Sequence, residues 1–241
     1  RSGVLQLEQA PRDAVRFDRI AAQDLWPAGA MSRLDAAAAA GRLGEPVQAG
    51  GLLMSGAMAL RPSAALTPWL AGAARVTAQI ARLLPDAGGW RLIDANDRLT
   101  LQADAVVLCA GWGVAALAPD LPLAPVAGQA DWVEGPAAPP VAWGGYAVPT
   151  GAGLLFGATH DRGETNRTPD AEASARNLAA LAAALPDLAA RVGLAGRPRN
   201  RKAVRATTPD RLPVVGPLSA PGLYVLGGLG SRGFCVAPLL A

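Results

Sequence analysis

The chain has 241 residues, of which 51% are hydrophobic and 17% are charged, and its formal net charge is +3. This composition excludes an intrinsically disordered protein, and the length suits one large domain or two small ones. One histidine, His160, and two cysteines, Cys109 and Cys235, are present. We therefore expect no disulfide framework, no metal site and no Ser-His-Asp triad, and we expect both cysteines to pack as small apolar side chains.

Apolar patterning and turn residues predict the elements of the first half of the chain. In order, these are a strand in 3–9, helical structure in part of 21–43, a strand and turn in 50–62, a helix over about 64–73 and a strand in 75–84. An Asn-Asp turn then joins a strand in 88–97 to its hairpin partner. The continuous apolar run AVVLCAG at 105–111 is typical of a central strand buried on both faces.

The second half begins with a proline-punctuated crossing segment at 117–126. Strands of a second sheet are predicted in 126–134, 142–150 and 153–161, with Gly151 in a tight turn. Thr168 is a good N-cap for a helix that ends near Leu185. A basic strand leading into a proline-rich turn (197–216), a buried strand (222–228) and a final helix after the glycines at 228–233 complete the pattern.

Charge is concentrated in one segment. Residues 191–211 hold seven basic side chains and one acid, which gives a local charge of +6. Such a stretch is either a solvated basic face or a contact for phosphate groups. No apolar run reaches membrane-spanning length and no signal peptide is visible, so we expect a cytoplasmic protein without a membrane partner. Because Arg1 begins the chain without an initiating Met, we expect a part of a longer protein.

Two segments, 111–116 and 228–233, match the dinucleotide pattern G-x-G-x-x-G/A. Neither has room for a crossover helix and a second strand, so neither is predicted to be the first βαβ unit of a Rossmann fold. The second segment follows a strand and opens a helix, where free backbone N–H groups converge. That end would suit a phosphate, a carboxylate or the pyrimidine edge of a reduced flavin.

Several strings, taken together and in this order, resemble the D-amino-acid-oxidase superfamily of flavoenzymes. Within it, the chain is most similar to the oxidase parts of bifunctional enzymes that modify tRNA. The strings are AVVLCAG (105–111), PVAGQ (125–129), GYAVPT (145–150), GATHDRG (157–163), VRATTPDRLPVVGP (204–217) and LYVLGGLGSRGFCVAPLLA (223–241). The family's FAD-diphosphate fingerprint is expected upstream of the first residue.

The resemblance implies an α+β or α/β fold of two domains, with FAD as cofactor. An antiparallel-sheet substrate domain would comprise 1–61 and 114–206, and a partial FAD-binding domain would comprise 62–113 and 207–241. Arg205 and Tyr146 would bind the substrate carboxylate. The residues implied near the cofactor are Ile80, Ala110, Gly111, Gly128, Gln129, Gly228, Gly230, Ser231, Arg232 and Gly233.

The activity that the resemblance implies is oxidation of a C–N bond in a carboxymethylaminomethyl group on the wobble uridine of tRNA, with release of glyoxylate. The 191–211 stretch would then contact tRNA. Two alternatives stay open. Thr208-Pro209-Asp210 is typical of oxidases of free small amines such as glycine or sarcosine, and the missing fingerprint favours a cofactor-free fragment without activity.

Overall fold

A computed structural model describes residues 3–241. The helices, in chain order, are α1 (Pro11–Ala21), α2 (Ala36–Leu43), α3 (Pro62–Trp69), α4 (Val114–Leu117), α5 (Ala171–Ala184), α6 (Pro186–Leu194) and α7 (Gly233–Leu240), with a 3-10 turn at Gly111–Gly113. The strands are β1 (Val4–Leu7), β2 (Met31–Leu34), β3 (Gly51–Met54), β4 (Ile80–Asp86), β5 (Gly89–Asp94), β6 (Leu99–Ala103), β7 (Val106–Leu108), β8 (Ala124–Glu134), β9 (Val141–Ala142), β10 (Tyr146–Pro149), β11 (Gly153–Gly157), β12 (Asp161–Arg162), β13 (Arg199–Thr207), β14 (Val214–Pro217) and β15 (Leu223–Gly227).

The chain forms two compact units. The first comprises residues 1–71, 129–159 and 168–202, and the second comprises 72–128, 160–167 and 203–241. The division into a substrate domain and an FAD-binding domain, at the bounds given above, stays a prediction, because compactness does not assign a function to either unit.

The first unit is built on a mixed sheet. Its strands follow the order β8-β11-β10-β9-β1-β3-β2, and β13 also pairs with β8. Most neighbours are antiparallel, whereas β1 and β9 are parallel. Gly151 lies in the predicted tight turn, which Thr150 N closes by donating to Gly153 O at 2.7 Å. Apolar side chains of the sheet pack with those of α2, α5 and α6, among them Leu5, Phe156, Leu181 and Leu188.

Helix α5 packs on this sheet through polar side chains as well. Alternation along β8 buries Gln129, Asp131 and Val133 on one face. The Nε2 of Gln129 donates to Ser174 Oγ at 2.8 Å and to Asp170 O at 2.9 Å. Asp131 accepts from Ser174 Oγ and from Asn177 Nδ2, both at 2.5 Å. Since each buried side chain has a partner, this network avoids the cost of unsatisfied polar groups.

The start of α5 differs from the prediction. Asp170, not Thr168, is the N-cap, and its carboxylate accepts from Ala173 N at 2.6 Å. The Nζ of Lys202, whose side chain is 6% exposed, donates to the other oxygen of Asp170 at 3.0 Å. The same carboxylate thus caps the helix and holds β13. These bonds lower the pKa of Asp170, chiefly through the backbone N–H of Ala173.

The second unit contains two small sheets. Strands β4, β5 and β6 form an antiparallel meander, which confirms the predicted hairpin. Strands β14, β15 and β7 form the other sheet, in which β15 is parallel to β7. Their core includes Trp90, Leu108, Val114, Leu223 and Val225. Strand β12 pairs with residues 126 and 127 of β8.

Two predictions for this unit are wrong. The apolar run at 105–111 is not buried on both faces, because β7 pairs with β15 alone and Val107 is 58% exposed. Cys109 and Cys235 are exposed rather than packed. Partial burial raises the pKa of the Cys109 thiol.

No helix among the described residues is both long and apolar enough to span a membrane. Residues 3–241 also contain no group of three or more His, Cys, Asp or Glu side chains placed to hold a metal ion.

Candidate functional site

A groove of about 790 Å³ in the second unit brings together many of the predicted site residues. One wall is the end of β13 and the turn that follows it, and the other is the loop between β15 and α7. The predicted residues that line it are Arg205, Gly228, Gly230, Ser231 and Arg232. Arg162 and Arg211 also line the groove. The basic stretch 191–211 places Arg211 with Arg205, whereas no sequence motif predicts that Arg162 joins them.

Alternation along β13 turns Arg205 toward the groove. Ala206 is buried at 3% exposure, whereas Arg205 and Thr207 on either side of it line the groove. The hydroxyl of Thr207 donates to Ala124 O at 3.0 Å, which fixes the end of the strand. The guanidinium of Arg205 is therefore presented from a held strand rather than from a loop.

One nitrogen of Arg205 is a buried donor without an acceptor. Its Nη1 is inaccessible to solvent and has no hydrogen-bond partner among residues 3–241. Burying such a donor costs about 1–3 kcal/mol when nothing accepts its proton. Arg205 as a whole is half-buried and lines the groove, so a carboxylate there would pair with its guanidinium through a charge-assisted bond.

The turn after β13 is fixed by its own side chains. Arg211 N donates to Thr208 O at 3.1 Å, Thr208 Oγ1 donates to Leu212 O at 2.7 Å, and Asp210 accepts from Leu212 N at 2.9 Å. The last of these bonds is the main cause of the lowered pKa of Asp210. The turn is therefore a rigid wall of the groove.

The glycine loop is tied to the same wall. Gly230 N donates to Ala206 O at 3.0 Å, and the Arg232 guanidinium donates to Arg211 O. Gly228 and Gly230 have positive φ values of 62° and 55°, where residues with a Cβ are strained. A Cβ on Gly228 would lie 2.9 Å from Thr208 Cγ2. Glycine at this position thus allows the loop to approach the turn.

Helix α7 begins directly after this loop. Its N-cap, Arg232, makes no side-chain hydrogen bond to the first turn. The backbone N–H groups at this end, together with the helix dipole, favour electron-rich or anionic groups. These residues fit the pyrimidine edge of a flavin as well as they fit a carboxylate, and Gly230, Ser231, Arg232 and Gly233 would supply the contacts.

The electrostatics of the groove favour an anion. Four arginines and one carboxylate, Asp210, line it. His160, also in the lining, has a lowered pKa, caused first by partial burial and then by the charges of Arg205 and Arg162. The groove therefore already repels one additional positive charge.

The remaining predicted residues lie elsewhere. Tyr146 begins β10 in the first unit, where Gly157 is its cross-strand partner. Gln129, in the first unit, is fully buried and bonded within the α5 network. In the second unit, Ile80 begins β4, Ala110 and Gly111 follow β7, and Gly128 is buried in β8. Their contacts with a cofactor stay predictions.

Comparison with known sequences covers the whole chain. The profile described as FAD dependent oxidoreductase (DAO) matches residues 1–241. The chain is similar to two proteins named tRNA 5-methylaminomethyl-2-thiouridine biosynthesis bifunctional protein MnmC. The one from Caulobacter sp. (strain K31) is 52% identical and covers 99% of this chain and 40% of that protein. The one from Caulobacter vibrioides is 48% identical and covers 99% and 39%. The chain thus spans about two fifths of the length of these relatives.

Solved structures give the same fold. Glycine oxidase from Geobacillus kaustophilus has a TM-score of 0.82 at 25% identity and covers 99% of this chain and 68% of that one. Iminodiacetate oxidase from Chelativorans sp. BNC1 has a TM-score of 0.80 at 23% identity and covers 100% and 70%. These matches confirm the predicted fold class and the predicted resemblance.

Proposed function

Since the chain belongs to the FAD dependent oxidoreductase family, we propose that it is part of an enzyme that oxidises a carboxymethylaminomethyl group on the wobble uridine of tRNA. The relatives' name, which refers to biosynthesis of 5-methylaminomethyl-2-thiouridine in tRNA, supports the substrate. Oxidation of the CH2 carbon would give an imine, and hydrolysis of the imine by water would give glyoxylate and an aminomethyl group that stays on the base. Such an enzyme works where tRNA is modified, in the cytoplasm.

The observation that carries the proposal is the half-buried Arg205, which β13 presents to a groove lined by four arginines. The leaving part of the substrate is an N-carboxymethyl group, N–CH2–COO⁻, whose carboxylate matches a guanidinium fork. Because β13 and Thr207 hold Arg205, the carboxylate would fix the position of the CH2 group that is oxidised.

The chemistry that FAD supplies when bound is acceptance of a hydride from that carbon. The groove residues would bind the substrate and orient it. Arg205 would hold the carboxylate, and the backbone N–H groups of 230–233 would supply contacts to the cofactor. Partial burial first, and then the charges of Arg205 and Arg162, lower the pKa of His160. The same environment would disfavour the protonated form of a substrate amine, and the amine must be neutral before a hydride can leave. Tyr146 stays a proposed substrate contact.

A second candidate is oxidation of a free small amine. The solved glycine oxidase supports it, because glycine contains the same N–CH2–COO⁻ unit. Arg205 would play the same part in both reactions, so the two candidates differ only in what is attached to the nitrogen.

The first experiment asks whether this chain holds FAD. Purified chain is titrated with FAD and followed by its visible absorption spectrum. A saturable, perturbed flavin band is expected, and its absence would leave the cofactor-free fragment as the better description.

The second experiment measures glyoxylate release by the FAD-loaded chain from tRNA that carries carboxymethylaminomethyluridine, and from free glycine and sarcosine. Turnover of the tRNA, with none of the free amines, is expected. Arg205→Met should lower kcat/KM about 100-fold, since loss of a charge-assisted contact costs roughly 3 kcal/mol. The control is Arg98→Met, because Arg98 is an exposed arginine of the second unit outside the lining of the groove. An equal loss in both variants would remove Arg205 from its proposed role.

A further inference from the structure

The first unit has a groove of about 650 Å³ whose lining residues differ from those of the Arg205 groove. It is lined by Trp132 and Glu134 of β8, Leu155 of β11, Arg199 and Arg201 of β13, and Arg61. Its composition is unusual for an outer sheet face, because it combines a large aromatic ring with three arginines.

Strand alternation explains how this groove arises. Along β8, the polar residues Gln129 and Asp131 point to the buried face and bond to α5, so Trp132 and Glu134 must point to the other face. This is the reverse of the usual arrangement, in which the aromatic residue is inside and the carboxylate outside.

Strand β13 follows the same rule. Asn200 and Lys202 bond to Ser174 and Asp170 at the start of α5. Their neighbours Arg199 and Arg201 therefore lie on the face opposite the helix, beside Trp132. Both arginines are exposed.

The contacts within the groove hold a flat, positively charged surface. Arg199 lies over the Trp132 ring, with Cζ 5.8 Å from the centroid, and also pairs with Glu134. Leu155, the cross-strand partner of Trp132, lies on the same face of the sheet and also lines the groove. A Cβ on Gly151 would lie 2.9 Å from Arg61 Nη2, which places the third guanidinium at the turn between β10 and β11.

We propose that this groove binds single-stranded nucleotides of the tRNA substrate. A base would stack on Trp132 in place of Arg199, and the guanidinium groups of Arg61, Arg199 and Arg201 would then contact the flanking phosphates. Charge complementarity decides the occupant, because three guanidinium groups face a single carboxylate. This inference rests on the proposed function and refines it, since it assigns Arg199 and Arg201 of the basic 191–211 stretch to RNA and gives Lys202 a structural part.

The test measures binding of the full 241-residue chain to a fluorescein-labelled RNA hairpin of about 17 nucleotides with a loop of about seven. Fluorescence anisotropy is recorded between about 50 and 200 mM NaCl. Arg199→Gln/Arg201→Gln should weaken binding about tenfold and reduce the salt slope by about 1.4, because two phosphate contacts with a single strand are lost. The matched control, Arg12→Gln/Arg19→Gln, removes the same charge from α1.

Two further variants separate stacking and charge. Trp132→Leu should weaken binding about tenfold with an unchanged salt slope, since one stacked base contributes roughly 1–3 kcal/mol. Glu134→Gln should tighten binding a few-fold, because it removes the one carboxylate that repels phosphate. A variant that merely failed to fold could not bind more tightly.

The outcomes separate the groove from the function. Equal RNA affinities of the β13 and α1 double variants would overturn the proposal that the groove binds RNA. The proposal would also be overturned if Trp132→Leu lost as much affinity for an RNA duplex of the same length as for the hairpin. Glyoxylate release from modified tRNA would still stand in either case. If the unsubstituted chain bound no RNA and oxidised only free amines, both the groove and the tRNA substrate would be rejected.

Discussion

Two sets of buried polar groups, one in each unit, contrast. Under β8 in the first unit, Asp131 and Gln129 are fully buried and their side chains are bonded to α5. In the groove of the second unit, Arg205 Nη1 is just as inaccessible and has no partner among the described residues. Polar groups that satisfy one another specify the fold, whereas a guanidinium that lines a groove and is not fully bonded can pair with a ligand.

The largest loss of stability is expected when a hydrogen bond between β8 and α5 is removed. Asn177→Leu removes the amide that donates to Asp131 Oδ2 and to Gln129 O. The buried carboxylate then loses a donor, so the free energy of unfolding should fall by about 2–4 kcal/mol. Urea denaturation measures it. Ala175→Leu, at an exposed position of the same helix, should change it by less than about 0.5 kcal/mol. Similar values for both would mean that the network contributes no stability.

A smaller loss is expected at the contact between the glycine loop and the turn. Gly228→Ala places a Cβ 2.9 Å from Thr208 Cγ2 at a φ of 62°, and should destabilise the chain by about 2 kcal/mol. Adding Thr208→Ser removes the methyl group and keeps the hydroxyl, so about half of the loss should return. If thermal unfolding showed no recovery in the double variant, the contact with Thr208 would not be the cause.

Arg205 should behave in the opposite way to Asn177. Without ligand, Arg205→Met removes an unsatisfied donor, so stability should stay the same or rise by up to about 1 kcal/mol. The same variant should lose its activity, as proposed above. A loss of stability as large as that of Asn177→Leu would show that Arg205 serves the fold instead.

The smallest effect expected is a shift in the pKa of His160. Because His160 is the one histidine in the sequence, an untagged sample gives a single set of imidazole NMR signals, from which this pKa can be measured. Its pKa lies below the ordinary 6.5, so the unfolded chain takes up this proton first and the group lowers stability as the pH falls. Arg205→Met should raise the pKa, since it removes a repelling charge. A bound carboxylate should do the same in the unsubstituted chain. If the pKa of His160 changed neither in Arg205→Met nor on binding of a carboxylate, the charge of Arg205 would have no effect on the titration of His160.

The sequence predicts well what local chemistry decides. The Asn-Asp turn of the β5–β6 hairpin, the tight turn at Gly151 and the strand at 223–227 follow from residues close in the chain. Helix α6 and strand β14 were missed, since proline obscured both starts. The apolar run at 105–111 predicts a doubly buried strand. This prediction is wrong because an apolar run does not reveal how many neighbours a strand has.

The features of the candidate sites also differ in whether residues close in the chain predict them. The glycine loop and Arg205 could be proposed from the motifs, but the missing partner of Nη1 depends on every residue around it and has no local signal. The Trp132 groove did have a local signal in the sequence. Polar residues at 129 and 131 alternate with an aromatic at 132, and this reversed pattern, considered together with the Arg-Asn-Arg-Lys of β13, would have indicated which face was outside.

The single lysine gives the chain one further property. Lys202 is held by Asp170 with 6% of its side chain exposed, and it is the last residue of the first compact unit. An endoproteinase that cuts only after lysine therefore has one site, at the point where the chain passes into the second unit. Since that bond is protected while β13 is paired, the rate of this single cut reports how often the strand opens.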